Sequence, residues 1–171
     1  MSVSIHRARQ EDLDFVADLL THAEVEPFLA AGRPKDRETI RSEIELSAEE
    51  PDAFGLFVIE VDGARAGTMR FKGSNRRSRI ADLSGLAVHP DFRGGRVADE
   101  AAQLFRTYLL DDLGYHRLQL EIYGFNERAM AHAERAGFVR EGVRRKAYWR
   151  TGEWVDGVLY GLVAEDVPDG S

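Results

Sequence analysis

The chain has 171 residues, a formal net charge of −7 and a pI near 5.3. This length fits one domain, and an apolar fraction of 43% is enough to bury one sizeable core. The acidic balance argues against a general binder of nucleic acid or of a membrane surface, and it suits a cationic small substrate. The sequence has no cysteine, which excludes disulfides, thiolate zinc sites and a cysteine nucleophile.

The location of the protein is expected to be cytoplasmic. No apolar run is long enough to span a bilayer, and residues 1–10 lack the apolar stretch of a signal peptide. We therefore expect neither a membrane nor a nucleic-acid partner. The five histidines show no metal-like spacing, so no metal is expected either. Without repeats or an obvious linker, residues 1–171 are predicted to form one domain.

The predicted elements begin with a strand and two helices. A strand at Ile5–Ala8 precedes helices at Glu11–His22 and Arg37–Glu50, where apolar residues recur at helical spacing. Asp36 is the expected N-cap of the second helix. The connection between these helices is predicted to be irregular, because it contains Pro27, Gly32 and Pro34.

The rest of the chain predicts six more strands and two more helices. Strands at Gly55–Val61 and Ala66–Lys72 flank Asp62-Gly63, a typical hairpin turn. The following elements, in chain order, are a strand at Ile80–Val88, a helix at Val97–Leu113, a strand at Arg117–Tyr123, a helix capped by Asn126, and a strand pair at Phe138–Trp149 and Glu153–Ala164. This order, βααβββαβαββ, predicts a mixed α/β domain.

The turn after the fourth strand has the features of an anion site. Pro90 cannot donate to a ladder, so strand pairing is expected to stop there. The turn Arg93-Gly94-Gly95-Arg96 then enters the long helix, where free N–H groups meet the positive end of the helix dipole. These features suit a diphosphate. By themselves they also fit an ordinary surface turn, because every strand–helix junction has free amides.

Two segments carry a resemblance to a known family. Leu86-Ala-Val-His-Pro-Asp-Phe-Arg-Gly-Gly-Arg-Val-Ala98 resembles the acetyl-CoA motif of the GNAT superfamily. Leu120-Glu-Ile-Tyr-Gly-Phe-Asn-Glu-Arg-Ala129, followed by Glu134-Arg-Ala-Gly-Phe138, is similar to the family's fifth strand and fourth helix. The resemblance covers nearly the whole chain and is nearest to the ribosomal-protein and spermidine type of N-acetyltransferase. It implies a GNAT fold, with about four helices on a mixed, mostly antiparallel sheet of about seven strands.

The resemblance also implies an activity, which is transfer of the acetyl group of acetyl-CoA to a primary amine. The acceptor would be a protein N-terminus, a polyamine or another small amine. Because an amine is protonated near neutral pH, a base is needed, and Glu121 matches the family's general base. The alternative for Glu121 is a strand glutamate that faces solvent or pairs with an arginine. The residues implied in acetyl-CoA binding are Leu86, Ala87, Val88, Arg93, Gly94, Gly95, Arg96, Val97, Ala98 and Asn126.

Finer roles follow from the same resemblance. Backbone amides near Ala87 and Val88 would stabilise the tetrahedral intermediate, unless all of them are paired within the sheet. Asn126 would bond the pantetheine arm, cap its helix, or do both.

The sequence departs from the family pattern at two positions. Arg96 stands where the family has a glycine, so it either offers its amide to the phosphate or crowds the site. Ala133 stands where many members have a tyrosine that protonates the departing thiolate. Water or Tyr123 is left as a proton donor, and His132 is expected at the surface or at the edge of the core. A non-catalytic CoA-binding or regulatory module with the same fold is therefore the alternative function.

The acceptor is expected between residues 24–50 and the last hairpin, the segments that flank the thioester end in this family. The glutamates of residues 24–50 either favour a cationic acceptor or form a solvated acidic face. Tyr148, Trp149 and Trp154 are expected either to wall the site or to bury a contact between two copies of the chain, which makes a homodimer one of the expectations.

Overall fold

The computed structural model of the chain describes residues 1–30 and 35–168. In that part of the chain, seven strands form one sheet in the order β1-β2-β3-β4-β5-β7-β6. Every neighbouring pair is antiparallel except β4 and β5, which run parallel. The predicted mixed, mostly antiparallel sheet is thereby confirmed. The strands are β1 (Val3–Arg7), β2 (Phe54–Val61), β3 (Ala64–Asn75), β4 (Ile80–Val88), β5 (Arg117–Tyr123), β6 (Val139–Arg150) and β7 (Glu153–Val163).

Four α-helices are present in the described residues, as expected. They are α1 (Leu13–Leu20), α2 (Arg37–Glu49), α3 (Val97–Thr107) and α4 (Glu127–Arg135). The two predicted caps are present, since Asp36 accepts from Thr39 N at 2.8 Å and Asn126 accepts from Ala129 N at 3.2 Å. Of the irregular connection between α1 and α2, Gly32 and Pro34 lie outside the described residues.

Two of the predicted helices change to another helix type at one end. The start of the predicted first helix is a separate 3-10 turn at Gln10–Asp12. The third helix stops at Thr107 and continues as a π-helical turn over Tyr108–Asp112. There the Tyr108 hydroxyl accepts from Arg7 Nη2 at 2.6 Å, a long-range contact that helical periodicity does not reveal.

Both faces of the sheet are covered, and β2 shows this most directly. Phe57 and Ile59 belong to a core under α3 and α4, whereas Leu56 and Val58 face α1 and α2. Because successive strand residues point to opposite faces, β2 is apolar on both sides. No helix in the described ranges is both long and apolar enough to cross a membrane.

The sheet opens between β4 and β5. Their parallel pairing covers only Ile80–Asp82 against Arg117–Gln119. Past that point β4 stays paired with β3 and β5 stays paired with β7, so the two strands diverge. A register shift in β3 between Thr68 and Arg70 lies beside Gly85, whose φ is +64°. The resulting cleft opens toward the starts of α3 and α4 and positions the candidate site.

Candidate active site

The turn from β4 to α3 presents unpaired backbone amides. Gly94 has φ +87° and Arg96 has φ +62° and ψ +16°, and α3 begins at the next residue. No side chain caps α3, so the N–H groups of Val97, Ala98 and Asp99 have no partner within the helix. These amides and the positive end of the helix dipole border a cavity of about 390 Å³, which we name the first cavity.

The two arginines of this turn have different surroundings. Arg96 is exposed, and its left-handed conformation is the one that glycine adopts without strain. Arg93 donates to the carbonyls of Val88 at 3.3 Å and Glu24 at 2.9 Å. Arg93 therefore ties the end of β4 to the connection after α1, while the Arg96 side chain extends at the mouth of the loop.

The opened edge of β4 forms one wall of the first cavity, through Leu86, Ala87 and Val88. His89 N donates to Ala66 O of β3 at 2.7 Å. Since amides alternate along a strand, Ala87 N–H faces β3 and Val88 N–H faces the cleft. Of the two amides expected to contact the reacting carbonyl, Val88 is therefore the one directed into the cleft.

A second cavity of about 550 Å³ lies next to the first, between the connection before α2, strands β3 to β5, and helix α4. Its polar lining includes Lys35, Arg70 and Glu121. The residues that line both cavities are Phe28, Leu29, Leu86, Asn126, Ala129 and His132. A long ligand can therefore lie in the first cavity and present its end to the second.

Glu121 of β5 lies in the wall of the second cavity, with its side chain 22% exposed. Tyr148 of β6 donates a hydrogen bond to Glu121 Oε1. Glu121 Oε2 is buried without a hydrogen-bond partner among the described residues, and Arg144 Nε lies 3.5 Å from it. The hydrogen bond to Glu121 and burial raise the pKa of Tyr148, so this hydroxyl keeps its proton and fixes the carboxylate.

Gly157 of β7 makes the hydrogen bond between Tyr148 and Glu121 possible. The strand lies between β5 and β6, and a Cβ at Gly157 would be 2.5 Å from Glu121 Oε2 and 2.7 Å from Tyr148 Cε2. A bulge in β6 between Arg144 and Tyr148 shifts the register on the same side. The absent side chain lets Glu121 and Tyr148 meet across β7.

His132 of α4 lies in the wall that the two cavities share, where the sequence suggested only a surface or core-edge position. Its side chain is 13% exposed, and its Nδ1 donates to Asp99 Oδ1 at 2.8 Å. Burial raises the pKa of Asp99, but hydrogen bonds from His132 and Arg135 outweigh this effect and lower it. The charged carboxylate fixes the ring and directs Nε2 away from α3.

The other predicted side chains divide between the cavities and the surface. Asn126 lines both cavities, and Ala133 is buried in the lining of the second. Glu26 lines the second cavity but is paired with Arg150 at 3.2 Å. The indoles of Trp149 and Trp154 contact each other, and each residue is 59% exposed on the last hairpin, outside the lining of either cavity. Glu45, Glu49 and Glu50 of the expected acidic face are exposed.

The two cavities together accommodate a long thioester. A diphosphate suits the free amides at the start of α3, and a pantetheine-like arm suits the unpaired edge of β4. A ligand of this shape that lies in both cavities would pass the shared wall and reach the second cavity, which Glu121 lines. This is the arrangement of an enzyme that transfers acyl groups from coenzyme A.

The family can be stated more narrowly. Residues 3–139 match the model of the acetyltransferase (GNAT) domain, and the chain belongs to that family. It is an N-acetyltransferase, with acetyl-CoA as cosubstrate. In residues 1–30 and 35–168 no group of ligating side chains could hold a metal ion.

Relatives and solved structures agree with this assignment. The spermidine N(1)-acetyltransferase of Escherichia coli K12 is 26% identical over 153 residues, covering 90% of this chain and 81% of that protein. A prophage-derived uncharacterised N-acetyltransferase of Bacillus subtilis is 26% identical over 133 residues, covering 78% of this chain and 74% of that protein. The fold is shared with the Vibrio cholerae spermidine N-acetyltransferase solved with CoA and spermine, at a TM-score of 0.84 and 17% identity over 96% of each chain. The fold is also shared with the ribosomal L7/L12 N-acetyltransferase RimL, solved with CoA. Its TM-score is 0.84 at 16% identity, over 98% of this chain and 97% of that chain.

Proposed function

We propose that the chain transfers the acetyl group of acetyl-CoA to a primary amine, carried by a small molecule or a protein N-terminus, with Glu121 as the general base. The Glu121 carboxylate is the observation that carries this proposal. One oxygen is fixed by Tyr148, and the other is buried without a hydrogen bond in the wall of the second cavity. This oxygen is in ion-pair contact with Arg144 Nε at 3.5 Å but accepts no hydrogen bond among the described residues, and an ammonium group would supply one. The carboxylate takes a proton from the ammonium group, and the neutral amine that results attacks the thioester carbonyl.

The backbone of the cleft supports binding and stabilisation of the developing charge. The start of α3 binds the diphosphate through the loop Arg93–Ala98, and the edge Leu86–Val88 with Asn126 holds the arm. The Val88 N–H, directed into the cleft, donates to the oxyanion of the tetrahedral intermediate. When this intermediate, which already contains the new C–N bond, collapses, the C=O bond re-forms and the C–S bond breaks, and the nitrogen loses its extra proton to solvent.

The departing sulfur needs a proton when its thiol is to be released. Ala133 has no acidic group, and it lies buried beside the second cavity. His132 lines the shared wall one residue away, with Nδ1 held by Asp99. We assign the proton donor to His132 Nε2, because imidazole is a common general acid and Asp99 holds its other nitrogen, Nδ1.

Two observations favour a second candidate function, a CoA-binding module without transferase activity. The buried Ala133 lacks the tyrosine expected at its position, and Arg96 introduces a side chain into the phosphate turn. Both candidates predict binding of CoA, so turnover separates them.

The test combines thermal stabilisation by acetyl-CoA with thiol release in the presence of a panel of amines. We expect stabilisation and thiol release with at least one amine. Glu121→Gln should lower kcat by about 100-fold or more while acetyl-CoA still stabilises the protein. The matched control is Glu153→Gln, at an exposed position on the last hairpin. Stabilisation without thiol release from any amine favours the binding module, and an unchanged rate for Glu121→Gln removes it as the base.

A further inference from the structure

Two basic side chains line the second cavity on the side of β3 and α2. Arg70 Nη2 donates to Glu43 Oε1 at 2.8 Å, and Lys35 Nζ donates to the same oxygen. Arg70 and Lys35 are each 20% exposed, and Glu43 is 13% exposed. Both cations line the cavity, whereas Glu43 is not part of its lining. The single carboxylate of Glu43 thus pairs with both cations from outside the lining of the cavity. These three side chains together carry a net charge of +1.

The positive charge of this group is poorly compensated. Burial lowers the pKa of Lys35, and the neighbouring charge of Arg70 lowers it further. Burial likewise lowers the pKa of Arg70, and Arg70 Nε is buried without a hydrogen bond among the described residues. A buried charge without enough partners is unfavourable, so an anion bound at this end of the cavity is stabilised.

The backbone holds Arg70 in this position. Its side chain crosses Gly85 of β4, where a Cβ would be 3.0 Å from Arg70 Cδ. Its guanidinium carbon lies 5.4 Å from the centre of the Phe54 ring, a cation–π contact. The strand, the glycine and the ring therefore fix the guanidinium at the cavity.

The acidic groups nearby are engaged elsewhere. Glu26 is paired with Arg150, and Asp36 accepts from Thr39 N at the start of α2, where the helix dipole offsets its charge. Glu121 belongs to β5, on the other side of β4 from Arg70. The cavity thus has a carboxylate at one side and an excess of positive charge at the other.

We propose that Arg70 and Lys35 form a subsite for a carboxylate on the acceptor amine. This inference rests on the proposed function and narrows its acceptor to amino-acid-like or peptide-like molecules. The ammonium end binds at Glu121 and the carboxylate at Arg70 and Lys35. Because strands lie about 4.8 Å apart and β4 and β5 diverge beyond Asp82 and Gln119, β3 and β5 are separated by about 10 Å or more near Arg70 and Glu121, which accommodates a short chain between the two groups. A polyamine would instead place a second cation against Arg70 and Lys35.

The experiment compares three acceptors of equal chain length, namely an ω-amino acid, its carboxamide and the corresponding diamine. For the wild type we expect kcat/KM for the amino acid to exceed that for the carboxamide by about tenfold or more. Arg70→Met should remove this preference without lowering the rate with the carboxamide to the same extent. Lys72→Met, at an exposed position on the same strand, should retain the preference. Equal or better turnover of the carboxamide or the diamine by the wild type overturns the inference.

A binding measurement separates this inference from the proposed function. Calorimetry with the N-acetylated amino acid and its amide needs no turnover, and we expect the acid to bind at least about tenfold more tightly. If no amine supports thiol release, the proposed function fails, and this comparison still decides the subsite. Equal binding of the acid and the amide overturns it. If circular dichroism shows that Arg70→Met is unfolded, Lys35→Met is measured in the same way.

Discussion

Gly157→Ala tests how closely activity depends on the position of Glu121. The added Cβ would lie 2.5 Å from Glu121 Oε2, 2.9 Å from Glu121 Cδ and 2.7 Å from Tyr148 Cε2. Non-bonded carbon and oxygen atoms prefer a separation of about 3.5 Å, so the carboxylate or the ring must move by about 1 Å. A displacement of about 1 Å at a reacting group lowers the rate by about 100-fold. This corresponds to about 2.7 kcal/mol in the activation free energy.

The assay is thiol release at saturating acetyl-CoA, with the affinity for CoA measured by calorimetry. We expect kcat of Gly157→Ala to fall by about 100-fold and the affinity for CoA to stay unchanged. Gly142→Ala is the matched control, because a Cβ at Gly142 of β6 meets no heavy atom of the described residues within 4 Å. Melting temperatures of both variants show that they are folded. A kcat for Gly157→Ala within about threefold of the Gly142→Ala value would refute the positioning of Glu121 as the source of catalysis.

Three further predictions concern the phosphate turn, the proton donor and a buried carboxylate. Arg96→Gly should raise the free energy of unfolding by about 1 kcal/mol in urea titrations, because a non-glycine residue is strained at φ +62°, and it should change the calorimetric CoA affinity. His132→Gln should lower kcat by about 10- to 100-fold, measured by thiol release. Asp12, 1% exposed, accepts from Arg65 Nε at 2.7 Å, so Asp12→Asn should lower the free energy of unfolding by about 3 kcal/mol near pH 7. Burial raises the pKa of Asp12, but hydrogen bonds from Arg9 N, Arg65 and His6 outweigh this effect and lower it, so the stabilisation is complete above the ordinary value of 3.8 and should be lost in urea titrations as pH falls through the lower pKa of the folded state.

The order of elements could be predicted because its signals are local. Asp36 and Asn126 each cap the helix that follows them, and their side chains bond amides three residues ahead. Asp62 and Gly63 both have positive φ, as the tight turn between β2 and β3 requires. The π-helical turn at Tyr108–Asp112 could not be predicted, because its Tyr108 contact comes from Arg7 at the other end of the sequence.

The candidate site likewise combines residues that local sequence indicates with residues whose contacts only the fold reveals. Glu121 and the turn from Arg93 to Arg96 can be proposed from the sequence because each belongs to a contiguous segment that resembles a family motif. The sequence indicates Tyr148 only as an aromatic residue, since its contact with Glu121 depends on the register of two strands and on the missing side chain of Gly157. The sequence does not predict that His132 lines a cavity, because helical spacing shows which residues share a face, but not which face borders a cavity.

The opening between β4 and β5 explains why binding and chemistry occur at the same place. Asp82 and Gln119 form the last pair of the parallel ladder, and Gln119 Nε2 donates to Asp82 Oδ1 at 2.6 Å at this closing point. Beyond it each strand keeps one antiparallel neighbour, so the sheet remains intact while one edge of β4 loses its partner. Buried backbone groups without partners are unfavourable, and a ligand with its own amides can satisfy them. The edge of β4 that leaves its ladder lines the first cavity and directs the Val88 amide into the cleft. In the proposed function this edge holds the pantetheine arm, and Glu121 acts on the amine from the strand opposite.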